Sequence, residues 1–320
     1  MPRYLGQHFL KNKAKLKKII DALELKDGDI VVEVGPGHGE LTQEIQKSKI
    51  SETEQVRYGA GKNQSANWRT KIKIIAIEKD INLVKFLEEK FSKDKNIDPV
   101  RSKILEISAD LSKINRTSNG VEIIYGDALK VLPNLTNELK NLKTYKLTGN
   151  IPYYITGYLL RILGELENKP SLIVLTIQKE VAQRVCAKPP KMNLLAASVQ
   201  FWAEPKIIGS VSKKDFRPIP KVDSAIIKLI PLTLLVRSSI QCNKEKYYEF
   251  IKILFKQPRK TILNNLLSGI GGKNWGGKVN KKKNKEEIIE KLKKIGINPQ
   301  ARPQNLSVEQ ILKLFNFFMN

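Results

Sequence analysis

Residues Ile30 to Glu40, IVVEVGPGHGE, constrain the fold of this chain more than any other stretch. An apolar run interrupted only by Glu33 reads as a buried strand, and the alternating Gly35, Gly37 and Gly39 read as a tight turn. Glu40 then opens an amphipathic helix. A strand that enters a helix through a glycine turn presents backbone N–H groups at the carboxyl end of a parallel sheet, a place where nucleotides bind. A tight turn between strand and helix in some other α/β enzyme is the alternative for this loop taken alone.

The chain around the loop supports an α/β unit. Apolar runs predict strands at Ile30 to Val34, Ile72 to Ile77, Val121 to Tyr125, Thr144 to Leu147 and Leu172 to Ile177, with a last strand at Ile226 to Leu229. Helical periodicity falls at Lys15 to Leu23, Glu40 to Gln46, Ile81 to Phe91 and Gly157 to Leu166. Alternation of this kind builds a largely parallel sheet covered by helices. Residues 47–71 are polar and read as a surface insertion, because loops of that length are uncommon inside compact domains. Residues 96–120 form a second interruption that keeps some apolar periodicity, which leaves room for a short helix. Pro231 to Ser239 reads as a linker, after which helical periodicity takes over. The expected domains are therefore 1–235 and 236–320.

The glycine loop discriminates between nucleotides. A dinucleotide fingerprint would carry its third glycine at position 40, and the charge of Glu40 there would repel a pyrophosphate. The spacing E-x-G-x-G-x-G from Glu33 is instead typical of methyltransferases that bind S-adenosylmethionine, whose sulfonium and ammonium groups make acidic neighbours favourable. Glu78, ending the second strand, stands where an acid accepts hydrogen bonds from ribose hydroxyls. It follows Gly39 by 39 positions rather than the usual roughly 20, an excess assigned to the polar insertion. Asp127, in Gly126-Asp127-Ala128 after the third strand, is a candidate for the adenine edge of the cofactor.

The fourth strand leads into Asn150-Ile151-Pro152-Tyr153-Tyr154. An Asn-x-Pro-aromatic turn offers the Asn150 side-chain oxygen and the carbonyl next to Pro152 as two acceptors for one amino group, and Tyr153 as a stacking face. An exocyclic adenine amine is a poor nucleophile, because its lone pair is conjugated into the ring. Acceptors on both of its hydrogens favour a pyramidal nitrogen that can attack a methyl sulfonium, so orientation and electrostatics carry the catalysis. No strong general base is needed, and the chain has only two histidines, His8 and His38, of which His38 reads as loop filler. An ordinary turn is the structural alternative for this segment. A base within a duplex could not reach such a turn, so the target is expected flipped out or in a loop.

Charge names the partner class. Lys and Arg number 57 against 32 Asp and Glu, a net +25, which favours a polyanion: nucleic acid first, an anionic membrane surface second. From Cys242 to Asn320 there are 17 Lys/Arg and 6 Asp/Glu, or +11, which marks a basic helical second domain. Within it Gly269 to Lys285 reads as a Gly- and Lys-rich loop. Cys186 and Cys242 lie far apart without neighbouring metal ligands, so neither a disulfide framework nor a metal is expected. No apolar run is long enough to cross a bilayer and no leader is evident, which predicts a cytoplasmic protein.

With these residues in place, the chain resembles the KsgA/RsmA family of ribosomal RNA adenine dimethyltransferases, from Gly6-Gln7-His8-Phe9-Leu10 to Arg302 to Ser307 (RPQNLS). Between them the matching segments are Glu33 to Gly39, Gly126 to Ala128, Asn150 to Tyr153, Gln178 to Arg184 (QKEVAQR), Phe216 to Ser224 (FRPIPKVDS) and Arg259 to Ile262 (RKTI). The resemblance implies a Rossmann-like, S-adenosylmethionine-dependent methyltransferase domain followed by a small all-helical domain. It implies dimethylation of N6 on each of two adjacent adenines near the 3′ end of small-subunit ribosomal RNA, by a monomer acting on that RNA or on an immature small subunit. By position it implies cofactor contacts at His8, Leu10, Gly35, Gly37, Glu78, Asp127 and Asn150, and a reaction site of Asn150, Pro152, Tyr153 and Phe216. His8 stands where many members have Asn, a mild departure since both side chains hydrogen-bond. Phe216 is a candidate for the second face of the adenine, or else part of a structural Pro-rich loop. RNA contacts are expected from the basic second domain and from Arg3 and Lys11 to Lys18.

Two alternatives remain open at this level. The related large-subunit methyltransferases of the macrolide-resistance type share Asn-Ile-Pro-Tyr, while Gly35-Pro36-Gly37 and Arg259-Lys260-Thr261 favour the small-subunit group. A catalytically idle assembly factor on the same fold is the other, and the intact Gly35, Asn150, Pro152 and Tyr153 argue against it.

Overall fold

A computed structural model describes residues 7–48, 72–91, 120–140, 144–232, 243–270 and 281–319. Most of residues 47–71 and 96–120, together with Arg3 and Cys242, lie outside the described residues. The chain divides into two compact units, Met1–Lys179 with Ile207–Pro231, and Glu180–Lys206 with Leu232–Asn320.

The first unit is built on a seven-stranded sheet. Its strands are β2 (Ile30–Val34), β3 (Lys73–Glu78), β4 (Val121–Tyr125), β5 (Tyr145–Asn150), β6 (Leu172–Gln178), β7 (Ala203–Val211) and β9 (Ser224–Pro231), in the order β4-β3-β2-β5-β6-β9-β7. Strands β4 to β6 through β3, β2 and β5 are parallel, and β9 pairs antiparallel with β6. Both faces are buried: Val31, Val32, Ile74, Ile75, Leu147, Ile173 and Val174 have almost no exposure. Near-continuous Val/Ile/Leu runs are what a parallel sheet covered on both sides demands. Helices α1 (Lys13–Leu23), α2 (Glu40–Lys47), α3 (Ile81–Phe91), α4 (Ala128–Leu139) and α5 (Thr156–Glu165) surround it. Asn12 caps α1 by accepting from the N–H groups of Ala14 and Lys15, and the helix buries Leu16, Ile19 and Leu23 at i, i+3, i+7. β2 lies between β3 and β5, so the chain steps outward in both directions from it, and the crevice at the carboxyl ends of β2 and β5 is the switch point of the sheet.

A second, two-stranded sheet joins β1 (Phe9–Leu10) to β8 (Phe216–Arg217), pairing Phe9 with Arg217 and Leu10 with Phe216. Its strands are too short to leave a periodic signal, and they pair across about two hundred residues of sequence.

Helix α6 (Lys179–Val185) opens the second unit, which also holds α7 (Leu194–Gln200), α8 (Lys244–Leu254), α9 (Ile262–Ile270), α10 (Lys281–Lys294) and α11 (Val308–Met319). Its core contains Tyr247, Phe250, Leu254, Leu266, Leu292, Ile311 and Phe315. Asn265 is buried and clamps the turn before its helix, accepting from the Gln257 N–H at 3.0 Å and donating to the Gln257 and Thr261 carbonyls. The division differs from a boundary at 235, because Glu180–Lys206 belongs with the helices. The Phe201 ring stacks on Tyr247 at 4.1 Å, and the Tyr247 hydroxyl donates to the Ala197 carbonyl at 3.1 Å. Of the loop expected over 269–285, Gly269 and Ile270 instead close α9 and Lys281–Lys285 open α10, while 271–280 lie outside the described residues.

Candidate active site

The carboxyl ends of β2, β3 and β5 meet β1 and β8 in a cleft lined by Gln7, His8, Phe9, Gly35, Gly37, Glu78, Asn150, Ile151, Pro152, Tyr153 and Phe216. Eight of the ten residues expected at the site therefore face one space, although they come from five separate segments. Leu10 and Asp127 do not line it.

The glycine turn forms the floor. Gly37 has φ +59, and a Cβ there would stand 2.6 Å from the Phe9 ring, so any side chain would collide with the strand that closes the cleft. Between β2 and β5 the backbones approach so closely that a Cβ on Gly149 would sit 2.4 Å from the Val34 carbonyl oxygen. The parallel register that pairs Glu33 with Thr148 brings Gly35 and Asn150 to the same end of the two strands.

Glu78 is 4% exposed, and its carboxylate is held by three backbone donors: Gly37 N–H at 3.3 Å, Lys79 N–H at 2.8 Å and Asp80 N–H at 2.9 Å. Burial raises its pKa and the three donors oppose the rise. Glu33 lies behind the turn rather than in the cleft, accepting from the Thr42 hydroxyl at 2.7 Å. Burial pushes its carboxyl up to about 7, against the Thr42 bond and with added repulsion from Glu40 and Glu78.

Asp127 caps α4, accepting from Leu129 N–H at 3.0 Å, and pairs with the Lys79 ammonium at 2.8 Å. Burial works against its ionisation, yet Lys79, the Leu129 N–H and Lys130 together hold its pKa below the usual carboxylate range. Leu10 is 4% exposed and belongs to the hydrophobic core with Leu16, Ile19 and Phe216.

Asn150 ends β5, and its side-chain amide donates to the His8 carbonyl oxygen at 2.6 Å. That bond fixes the orientation of the amide and leaves its Oδ1 as the acceptor. Pro152 has φ −54, and its own carbonyl accepts from the Ile155 N–H at 3.1 Å, while Ile151 before it lines the cleft. The Tyr153 hydroxyl lies 2.9 Å from Ser224 Oγ. Burial raises its pKa, which keeps the phenol protonated. The His8 ring lies 5.9 Å from that of Tyr153, and its Nδ1 is 2.8 Å from the Pro218 carbonyl. A carbonyl only accepts, so Nδ1 carries the proton. Phe216 is 1% exposed and reaches the cleft as part of the core rather than as an open ring.

His38 packs edge-on against Phe9 at 4.3 Å and Phe86 at 5.5 Å, as a filler of the loop would. Of the basic N-terminal segment, Lys11 pairs with Glu40, Lys15 donates to the Ser210 carbonyl and Lys17 pairs with Asp21. Gln7 and Phe9 line the cleft without having been singled out in the sequence, and Ser224, which ends the FRPIPKVDS segment, holds the Tyr153 hydroxyl. Gln7 and Phe9 do stand inside the GQHFL segment.

A model of the family described as ribosomal RNA adenine dimethylase matches residues 2–55 and 69–320. The chain belongs to this family. The dimethylase match omits residues 56–68, in the middle of the polar insertion, and includes 96–120. A ribosomal RNA small subunit methyltransferase A of Dehalococcoides mccartyi is 34% identical over 96% of this chain and 84% of its own length. The protein of the same name from Mycoplasma capricolum is 31% identical, covering 98% and 96%. Two solved structures share the fold: a dimethyladenosine transferase from Plasmodium falciparum (24% identity, TM-score 0.65, 96% and 95% covered) and the 23S rRNA methyltransferase ErmE (20%, 0.61, 98% and 100%). Among the described residues no group of three or more His, Cys, Asp or Glu could hold a metal ion, and no helix is long and apolar enough to cross a membrane.

Proposed function

We propose that this dimethylase transfers methyl groups from S-adenosylmethionine to N6 of two adjacent adenines near the 3′ end of small-subunit ribosomal RNA. The observation that carries the reading is the Asn150–Tyr153 turn set against the glycine turn in one cleft, with Asn150 oriented by His8. The relatives from Dehalococcoides mccartyi and Mycoplasma capricolum, both named for the small subunit, support that choice of RNA.

The residues fit the cofactor. Nothing stands within 4 Å of where a Gly35 Cβ would be, so the backbone is open to a ligand there, and the Glu78 carboxylate offers an acceptor for ribose hydroxyls. Gly35, Gly37, Glu78 and His8 would hold the nucleoside and its amino-acid tail. Leu10 would act through its place in β1, and Asp127 would reach the adenine edge by sharing its carboxylate with Lys79. When bound, the cofactor supplies an electrophilic methyl group on a sulfonium.

The chain's own part is to present the nucleophile. Asn150 Oδ1 and the Ile151 carbonyl accept the two amine hydrogens and favour a pyramidal nitrogen. The Tyr153 ring stacks on the base while its hydroxyl stays on Ser224, and Phe216 backs the site from the core. Domain roles follow the charge: the sheet unit, Met1–Lys179 with Ile207–Pro231, supplies the chemistry and the basic helical unit holds RNA, the protein working as a monomer in the cytoplasm.

Methyl transfer from labelled S-adenosylmethionine to unmodified small subunits, with large-subunit RNA in parallel, tests the assignment. Label in the small subunit alone supports it. Label in large-subunit RNA alone replaces the substrate, and label in neither removes the activity.

A further inference from the structure

The loop from Ser212 to Ser224 carries features that the reaction does not use. It is tied to the rest of the first unit at three points. The Pro218 carbonyl accepts from His8, the Asp223 carbonyl accepts from Lys179 N–H at 3.0 Å, and Asp215 accepts from Asn12 Nδ2 at 2.7 Å. Pro220 is buried beneath it. Yet the same loop holds Ile219 54% exposed and Val222 45% exposed, three and six residues after Phe216, which lines the cleft. Apolar side chains kept in water on a fixed scaffold beside a reactive cleft mark a contact surface.

The charges identify what covers it. The loop holds four cations, Lys213, Lys214, Arg217 and Lys221, and two acids, Asp215 and Asp223. Both acids are turned to the backbone, Asp215 accepting from Ser212 N–H at 3.0 Å and Asp223 from Lys213 N–H at 2.9 Å. The Arg217 guanidinium is steadied by the Lys214 and Phe216 carbonyls. The exposed edge is therefore cationic with apolar tips, a combination suited to an RNA strand whose bases are unstacked and whose phosphates lie alongside.

We propose that Ile219 and Val222 bear against the nucleobases that flank the target adenine, and that Arg217 and Lys221 take the neighbouring phosphates. The loop thus supports the gap opened in the RNA when the adenine leaves its stack. The proposal rests on the methyl-transfer reading, because only that reading brings an adenine to Tyr153 and Phe216.

The test compares Ile219→Ala, Ile219→Leu and Lys221→Ala with the unaltered full chain. RNA affinity is read by fluorescence anisotropy on a labelled RNA loop bearing two adjacent adenines, and turnover by methyl transfer to small subunits. Ile219→Ala is expected to weaken RNA binding and raise KM about tenfold, from the loss of one buried aliphatic side chain, with kcat changed less than about twofold. Ile219→Leu restores both. Lys221→Ala lowers the slope of log affinity against log salt by about 0.7, the signature of one lost phosphate on a single strand. S-adenosylmethionine affinity stays unchanged in all three. Wild-type RNA affinity in Ile219→Ala, an unchanged salt slope in Lys221→Ala, or an equal loss of cofactor binding would each overturn the assignment. So would binding to phosphatidylglycerol vesicles that these variants abolish while RNA affinity stays intact. An unaltered chain that binds the RNA but transfers no methyl group fails the activity reading, while the anisotropy series still decides the loop.

Discussion

Glu33→Gln separates the electrostatic burden of the glycine turn from its geometry. Glu33 is 1% exposed, its Oε2 accepts from the Thr42 hydroxyl, and burial raises its pKa from 4.5 to about 7. Between those values the folded state holds a proton that the unfolded chain has lost, so stability falls as pH rises through the window and the loss is complete above about 7. The difference, at about 1.4 kcal/mol per pH unit, amounts to about 3 kcal/mol. A glutamine keeps the acceptor for Thr42 and never ionises. The variant should match the wild type near pH 4 and exceed it by up to about 3 kcal/mol at pH 8. Urea unfolding followed by circular dichroism at several pH values measures the difference directly, and taking variant against wild type cancels the contributions of the other carboxylates. A stability difference that does not change between pH 4 and pH 8, or a variant less stable at pH 8, would refute the reasoning.

Four further outcomes can be checked. Asn150→Ala should reduce methyl transfer by about 100-fold or more while RNA affinity holds, as expected for the loss of a preorganised acceptor; a rate within tenfold of normal removes Asn150 from the mechanism. Tyr153→Phe breaks only the bond to Ser224 and should keep turnover within about threefold, whereas Tyr153→Ala should lose far more; equal loss in both would deny stacking a role. Gly149→Ala must part β2 from β5 against a backbone oxygen, so a thermal melt should show a loss of about 1–3 kcal/mol, and an unchanged melting temperature would contradict the contact. Lys79→Ala frees the Asp127 carboxylate, and calorimetry should find cofactor affinity equal or tighter; a large loss would make Lys79 itself a ligand.

The sequence made the centre of the fold legible because the signal there is local. The strand Ile30–Val34 and the helix Ile81–Phe91 fall at their expected bounds, the helix carried by its periodicity and the strand by its apolar run and the glycines that end it. Thr144 to Leu147 was too short an estimate for β5, which continues through Thr148 and Gly149 to Asn150, because a buried threonine and glycine carry no apolar signal. β7 escaped notice for a related reason: Ala203–Val211 is buried only at its two ends, holds Pro205 and alternates weakly, as an edge strand does. α4 contains Pro133 and so reads poorly as a helix, although Asp127 caps it and Leu132, Leu135 and Leu139 line its buried face. The site itself was half legible. Motif residues marked the cleft, but the tie from Asn150 to His8, and from His8 to Pro218, joins segments far apart in the chain and exists only in the folded molecule.

The proposed reaction is the dimethylation of two adjacent adenines of small-subunit RNA, with Asn150 presenting each amine. Unmodified small subunits incubated with the protein and S-adenosylmethionine, then digested and analysed by mass spectrometry, test it directly. N6,N6-dimethyladenosine is expected at two neighbouring positions near the 3′ end, absent with Asn150→Ala. Dimethyladenosine at a single isolated adenine, in large-subunit RNA instead, or undiminished in Asn150→Ala would contradict it.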